Sequence, residues 1–74
     1  MTGDQIQELL HATPFVPFKL HVAEQKVIEI PHPDFALLTH SRRTMAVNNE
    51  RGTAFQLIDV MLISHVEIAE SNQA

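Results

Sequence analysis

Phe18-Lys19-Leu20-His21-Val22 alternates apolar and polar side chains, the two-residue period of a strand with one buried face. What precedes it is of another kind. Between Thr2 and His11, Ile6, Leu9 and Leu10 recur at the i, i+3, i+4 spacing of an amphipathic helix, and Pro14 forbids the helix from running on. Nearly every later segment reads as a strand. One short helix followed only by strands, in 74 residues, predicts a mainly β fold. The expected architecture is a small barrel of five to six strands with the N-terminal helix packed on it.

The helix start carries its own signals. Thr2 is placed to cap it, with Gln5 three residues on reaching back as in a capping box. Asp4 falls in the first turn, where the helix dipole favours an anion. About two and a half turns do not hold alone in water, so the apolar stripe must dock on something. The phenylalanines of Phe15-Val16-Pro17-Phe18 are the expected clamp, meeting Ile6 and Leu10 between helix and barrel. Residues 1–68 then form one domain, and 69–74, without an apolar pattern, should fray. A chain this short buries only ~60–65% of its unfolded surface, and small domains usually add a disulfide, a metal or an oligomer. The absence of cysteine excludes the first and leaves metal or self-association.

The strands can be placed in register from their patterns. Ile28-Glu29-Ile30 repeats the alternation, and Ala23 to Lys26 makes the turn. Matching apolar faces predicts Val22 opposite Ile28 and His21 opposite Glu29, joined through a three-residue loop or a bulge. Pro31 and Pro33 interrupt pairing. A third strand is expected over 35–40, a turn at Ser41-Arg42-Arg43, and a fourth strand over 44–48. This sets Leu37 against Val47 and Thr39 against Met45. After a longer loop at 48–52 come a fifth strand over 53–58, a short turn at 59–61 and a closing strand over 62–68. Leu62, Val66 and Ile68 are expected to face inward.

This order resembles the Sm-like (SH3-like) small barrels, among them the bacterial Sm-like RNA chaperones, which also open with a short helix. The resemblance runs from Glu8 to Ile68 and is carried by Pro17 to Val22, Asp34 to Leu38 and Ile63 to Ile68. It implies a barrel and an oligomer formed through late strands, and it implies base contact for the Asp34-Phe35 loop. The glycine usual in the first hairpin is absent, with Gln25 near its place. Ile58-Asp59-Val60-Met61 replaces the basic and aromatic signature that carries RNA contacts. The chain also resembles a group of small uncharacterised bacterial proteins that share the Pro14 to Phe18 lead-in and the His32 to Phe35 step. That likeness implies no activity.

Charge and composition narrow the function classes. Nine acids against five basic residues give a net charge of −4, whereas phosphate binding normally needs a basic stripe. An RNA partner is therefore disfavoured. No apolar run reaches the ~18–20 residues of a membrane span, so no membrane association is expected. Asp4 and Glu8 do not suit a signal peptide, and a cytoplasmic location is expected.

Five histidines are the one compositional excess. His21, Glu29 and His32 are the best-placed metal-ligand types, set against the plainer reading of surface residues on alternating strands. Ser41 and Ser64 each adjoin a histidine, but neighbours in a strand point to opposite faces, so neither pair should act as nucleophile and base. With only Gly3 and Gly52, no phosphate loop exists, and no cofactor is expected. Arg42 and Arg43, with Lys19, Lys26 and Arg51, offer an anion-binding surface or, more plainly, a solvated turn that guards a hairpin. Phe35 is read as a plug for the barrel end or as a contact for a partner.

The late strands carry Phe55, Leu57, Ile58, Leu62, Ile63, Val66 and Ile68, more apolar surface than a small barrel hides. A homo-oligomer with Ile58 or Ile63 at the contact is expected. The leading expectation is a non-enzymatic interaction or oligomerisation module acting through self-association or a protein partner. The alternatives are an Sm-like RNA-binding protein and a histidine-based metal-binding protein.

Overall fold

The computed structural model describes residues 2–23, 25–49 and 51–68. It opens with helix α1 (Gly3–Leu10) and continues with strands β1 (Phe18–Val22) and β2 (Lys26–Ile30). A 3-10 turn (Pro33–Phe35) leads to β3 (Ala36–Leu38), β4 (Thr44–Asn48) and β5 (Phe55–Asp59). A second 3-10 turn (Val60–Leu62) leads to β6 (Ile63–Ile68). The strands form two antiparallel three-stranded sheets, ordered β2-β1-β6 and β3-β4-β5. The mainly β architecture with one N-terminal helix is as expected. Strand pairing among the described residues makes two separate sheets and does not close a barrel. The expected tail at 69–74 lies outside the described residues.

The helix forms as its sequence dictates. Thr2 Oγ1 accepts the Gln5 N–H at 3.2 Å, and Gln5 Oε1 accepts the Thr2 N–H at 3.0 Å, completing the capping box. Two backbone donors that no helical carbonyl reaches are thereby satisfied. Ile6 and Leu10 are buried, joining Phe18, Leu20, Val22, Ile28, Ile30, Met45, Val47, Val60 and Ile63 in a single core. Phe15 packs against this core, its ring 5.9 Å from that of Phe18. The clamp of Ile6, Leu10, Phe15 and Phe18 is present.

Three registers differ from expectation, each for a definable reason. In the first hairpin Leu20 faces Ile28 and Val22 faces Lys26, so His21 lies opposite Val27 and Lys19 opposite Glu29. The slip is two residues, which keeps every side chain on its face. Three residues connect Val22 to Lys26, as expected, and Gln25 takes a left-handed backbone with φ 63°.

In the second hairpin Ala36 faces Val47 and Leu38 faces Met45, one residue from the expected pairing. Pro33 to Phe35 turns as a 3-10 helix in place of the first strand residues, and Arg42 at φ 62° lengthens the reversal after Leu38. A one-residue slip inverts the faces, so Leu37 points to solvent and Leu38 inward.

In β6 the pairs are Val22 with Ile63 and His21 with His65, which leaves Ser64 as the extra residue of a bulge. The bulge breaks the two-residue period. Ile63 is buried and Val66 packs on the core, while Leu62 and Ile68, expected inside, are about half exposed.

The helix also binds the second sheet. Gly3 lies so close to the Arg42 backbone that a Cβ there would overlap the Arg42 carbonyl oxygen. Arg42 Nη1 donates to Asp4 Oδ1 at 2.5 Å. The start of α1 is thus seated on the turn between β3 and β4.

Candidate functional site

The outer face of the β2-β1-β6 sheet carries the polar residues of the alternating strands. Lys19 sits between Glu29 on β2 and Glu67 on β6, and His21 sits between Val27 and His65. His21 Nε2–H donates to Glu67 Oε1 at 3.1 Å. That bond, with the Lys19 charge next in size, holds the Glu67 carboxyl below the usual glutamate range. The His21 and His65 rings stack at 4.1 Å with planes 12° apart. Imidazole lone pairs lie in the ring plane, so two near-parallel rings do not aim them at one centre.

His21, Glu29 and His32 are not brought together. Glu29 pairs with Lys19, and His32 stands beyond Pro31, where its Nδ1 accepts the Asp34 N–H at 3.2 Å and caps the 3-10 turn. Among the described residues, no three His, Asp or Glu side chains form a group able to hold a metal ion.

Ser64 and His65 do approach each other, against the expectation from simple alternation. The bulge at Ser64 brings its Oγ to 3.3 Å from His65 Nδ1. The Ser64 hydroxyl proton, however, goes to the His21 carbonyl at 2.9 Å. A hydroxyl that donates there has no proton left for the imidazole to remove, so this geometry does not activate Ser64. Thr39 and Ser41 hydroxyls lie 3.2 Å apart, and Ser41 Oγ accepts the Arg43 N–H at 3.3 Å, which serves the turn.

Arg42 is held by Asp4, and the Arg43 carbonyl accepts the Val60 N–H at 2.9 Å. This turn is a seat for the helix and a link to the second 3-10 turn more than a free cationic loop. Phe35 is half-buried and packs against the core. Ile58 is half-buried on the same core, and Ile63 is 2% exposed inside it, so Ile63 offers no surface to a partner.

The surface that sequence reasoning located only in part is the outer face of the β3-β4-β5 sheet. Leu37, Ala46 and Leu57 form one row across it. Phe55 stands beside Leu57 on the same face, two residues along β5. Leu37 is 70% exposed, Phe55 66% and Leu57 65%. The rest of the face is Thr44, Asn48 and Asp59, and the Asp59 carboxylate accepts the Met61 N–H at 2.9 Å. Alternation along β5 marks Phe55 and Leu57 as sharing a face. The outward turn of Leu37 depends on the one-residue register, which the sequence does not specify.

No protein-family model, curated protein or solved structure matches this chain. Among the described residues no helix is long and apolar enough to cross a membrane.

Proposed function

We propose that this protein is a non-enzymatic interaction module whose working surface is the outer face of the β3-β4-β5 sheet. The supporting observation is the row Leu37, Ala46, Leu57 with Phe55 beside it, apolar and open to water. Small folded domains seldom leave several large apolar side chains together on a sheet face unless something covers them. The serine and histidine geometry agrees with a non-enzymatic reading, since the Ser64 proton is already engaged with a carbonyl. No Lys or Arg lies on this face, so its chemistry suits a protein surface better than a phosphate backbone.

The test is a paired measurement on the purified chain. An environment-sensitive apolar dye and light scattering are applied to the natural protein and to a Phe55→Ser, Leu57→Ser variant. The expected result is dye binding or self-association in the natural protein, reduced in the variant with little change in melting temperature. A natural protein that is monomeric and binds no dye, indistinguishable from the variant, overturns the reading.

A further inference from the structure

The four outer strands of the two sheets are not equally protected against pairing with another chain. Strand β2 carries Lys26 and Glu29 and is followed by Pro31. Strand β6 is interrupted by the Ser64 bulge and bears Glu67. Strand β3 has three residues and follows the turn that begins at Pro33. Charges, proline, bulges and shortness are the ways in which a sheet edge is kept from extending itself. Strand β5 has none of them along its middle. It is five residues long, pairs regularly with β4, and reads Phe-Gln-Leu-Ile-Asp with its one charge at the end.

The hydrogen bonds fix which groups of β5 face outward. The Asn49 N–H donates to the Ala54 carbonyl, and the Val60 N–H donates to the Arg43 carbonyl. These pairs lie at the two ends of the β4–β5 register, in which Val47 faces Gln56 and Met45 faces Ile58. In an antiparallel ladder bonded pairs alternate with unbonded ones. Residues 54, 56 and 58 therefore point their backbone groups at β4. Phe55, Leu57 and Asp59 point theirs at the open edge.

We propose, resting on the interaction reading above, that the partner is a second copy of this chain, joined through antiparallel β5–β5 pairing about a two-fold axis at Gln56. Only pairings between the outward residues 55, 57 and 59 match donors to acceptors. Of these, Leu57 on the partner's Leu57 sets each Phe55 against an Asp59. Phe55 on the partner's Phe55 leaves each Leu57 beyond the bonded pair. Phe55 on the partner's Leu57 forms reciprocal bonded pairs twice, related by the axis. It brings the exposed apolar side chains together on one face and sets Asp59 opposite Thr53, away from its own copy. The rows Leu37-Ala46-Leu57 of the two copies then lie in one continuous six-stranded sheet. The outer side of the interface is free of like-charge contact although each chain carries −4, because that face holds a single acid at the strand end, while on the inner side Lys26 Nζ donates to Gln56 Oε1 at 2.7 Å.

At the axis Gln56 meets its own copy as an unbonded pair, the closer of the two antiparallel spacings, with Cα atoms ~4.5 Å apart. That spacing falls within the span of a disulfide. The chain has no cysteine, so one introduced thiol reports its own neighbour.

Light scattering on the full chain at tens of micromolar is expected to give twice the 8.3 kDa chain mass. Gln56→Cys is expected to cross-link to a covalent dimer at least tenfold faster than Ala12→Cys, an exposed site just beyond the end of α1. Leu57→Lys is expected to give a folded monomer with the natural circular dichroism spectrum and a melting temperature that no longer rises with protein concentration. A natural chain that stays monomeric overturns this pairing, and if it binds no dye, the interaction reading falls with it. A trimer or larger assembly overturns the pairing alone. So does a dimer in which Gln56→Cys cross-links no faster than Ala12→Cys, or which survives Leu57→Lys.

Discussion

Gly3 is the residue where two general tendencies oppose each other. In an ordinary helix, replacing glycine by alanine gains about 1 kcal/mol. At Gly3 the added methyl would meet the Arg42 carbonyl and Cβ. Overfilling a closed contact typically costs about 1–3 kcal/mol, so the steric effect should outweigh the propensity gain. Gly3→Ala is therefore expected to lower the urea midpoint, and a rise in the midpoint would show that the helix is not seated on this turn. Glu67 supplies a second residue-scale prediction. Its carboxyl is held low by the His21 hydrogen bond, so the folded state binds this proton less readily than the unfolded chain does. The resulting stabilisation is present above the ordinary glutamate range and is lost as pH falls through the folded value. Glu67→Gln should melt below the natural protein at neutral pH, and the two melting curves should converge on acidification. A gap that persists unchanged to acid pH would assign the effect to packing.

At the scale of the strand, Leu37 and Leu38 make a matched pair. They are neighbours of the same type, and the register decides which one enters the core. Leu37→Ser should change stability by no more than about 0.5 kcal/mol, the usual range for surface substitutions. Leu38→Ser should cost about 2 kcal/mol or more by removing apolar volume from the core side. Equal effects in thermal melts would reject the observed register. The same pair shows how far this fold is legible in its sequence. Alternation placed β1 and β2, and the capping box placed α1, because each is a local pattern. The faces of β3 depend on how many residues the 3-10 turn at Pro33 and the Arg42 reversal consume, and no period encodes that. The Ser64 bulge is similar: it puts Ile63 inside and leaves Leu62 about half exposed, where an unbroken period of two predicts the opposite. Of the residues singled out for function, Arg42, Phe35 and Ile63 have structural employment. Phe55 and Leu57, which lie within the apolar late strands, are the residues of that set most open to water, ahead of the half-exposed Leu62 and Ile68.

For the molecule as a whole, stability rests on one small core shared by the helix and both sheets. At ~0.05–0.15 kcal/mol per residue, a 74-residue domain has about 4–11 kcal/mol in total. Phe18 is 2% exposed within that core, and Phe18→Ala should cost about 3–5 kcal/mol. The variant is expected to be largely unfolded, or to melt far below the natural protein, by circular dichroism. A near-natural melting temperature would mean that the helix and sheets are held together by something other than this clamp.

The seating of α1 on Arg42 carries a consequence for the order of events during synthesis. The helix leaves the ribosome before every strand, yet the turn that receives it follows by some forty residues, with Asp4 bonded to Arg42. Until that turn is made, Ile6 and Leu10 have only part of their eventual surroundings, and a helix this short does not persist unaided. The helix must wait for the later segments, and it is expected to be the last of these elements to settle. In the finished protein the same dependence should be visible as time. The amide hydrogens near Leu10 should exchange with solvent well before those of Leu20, because an element made ahead of the strands is the one whose support arrives latest.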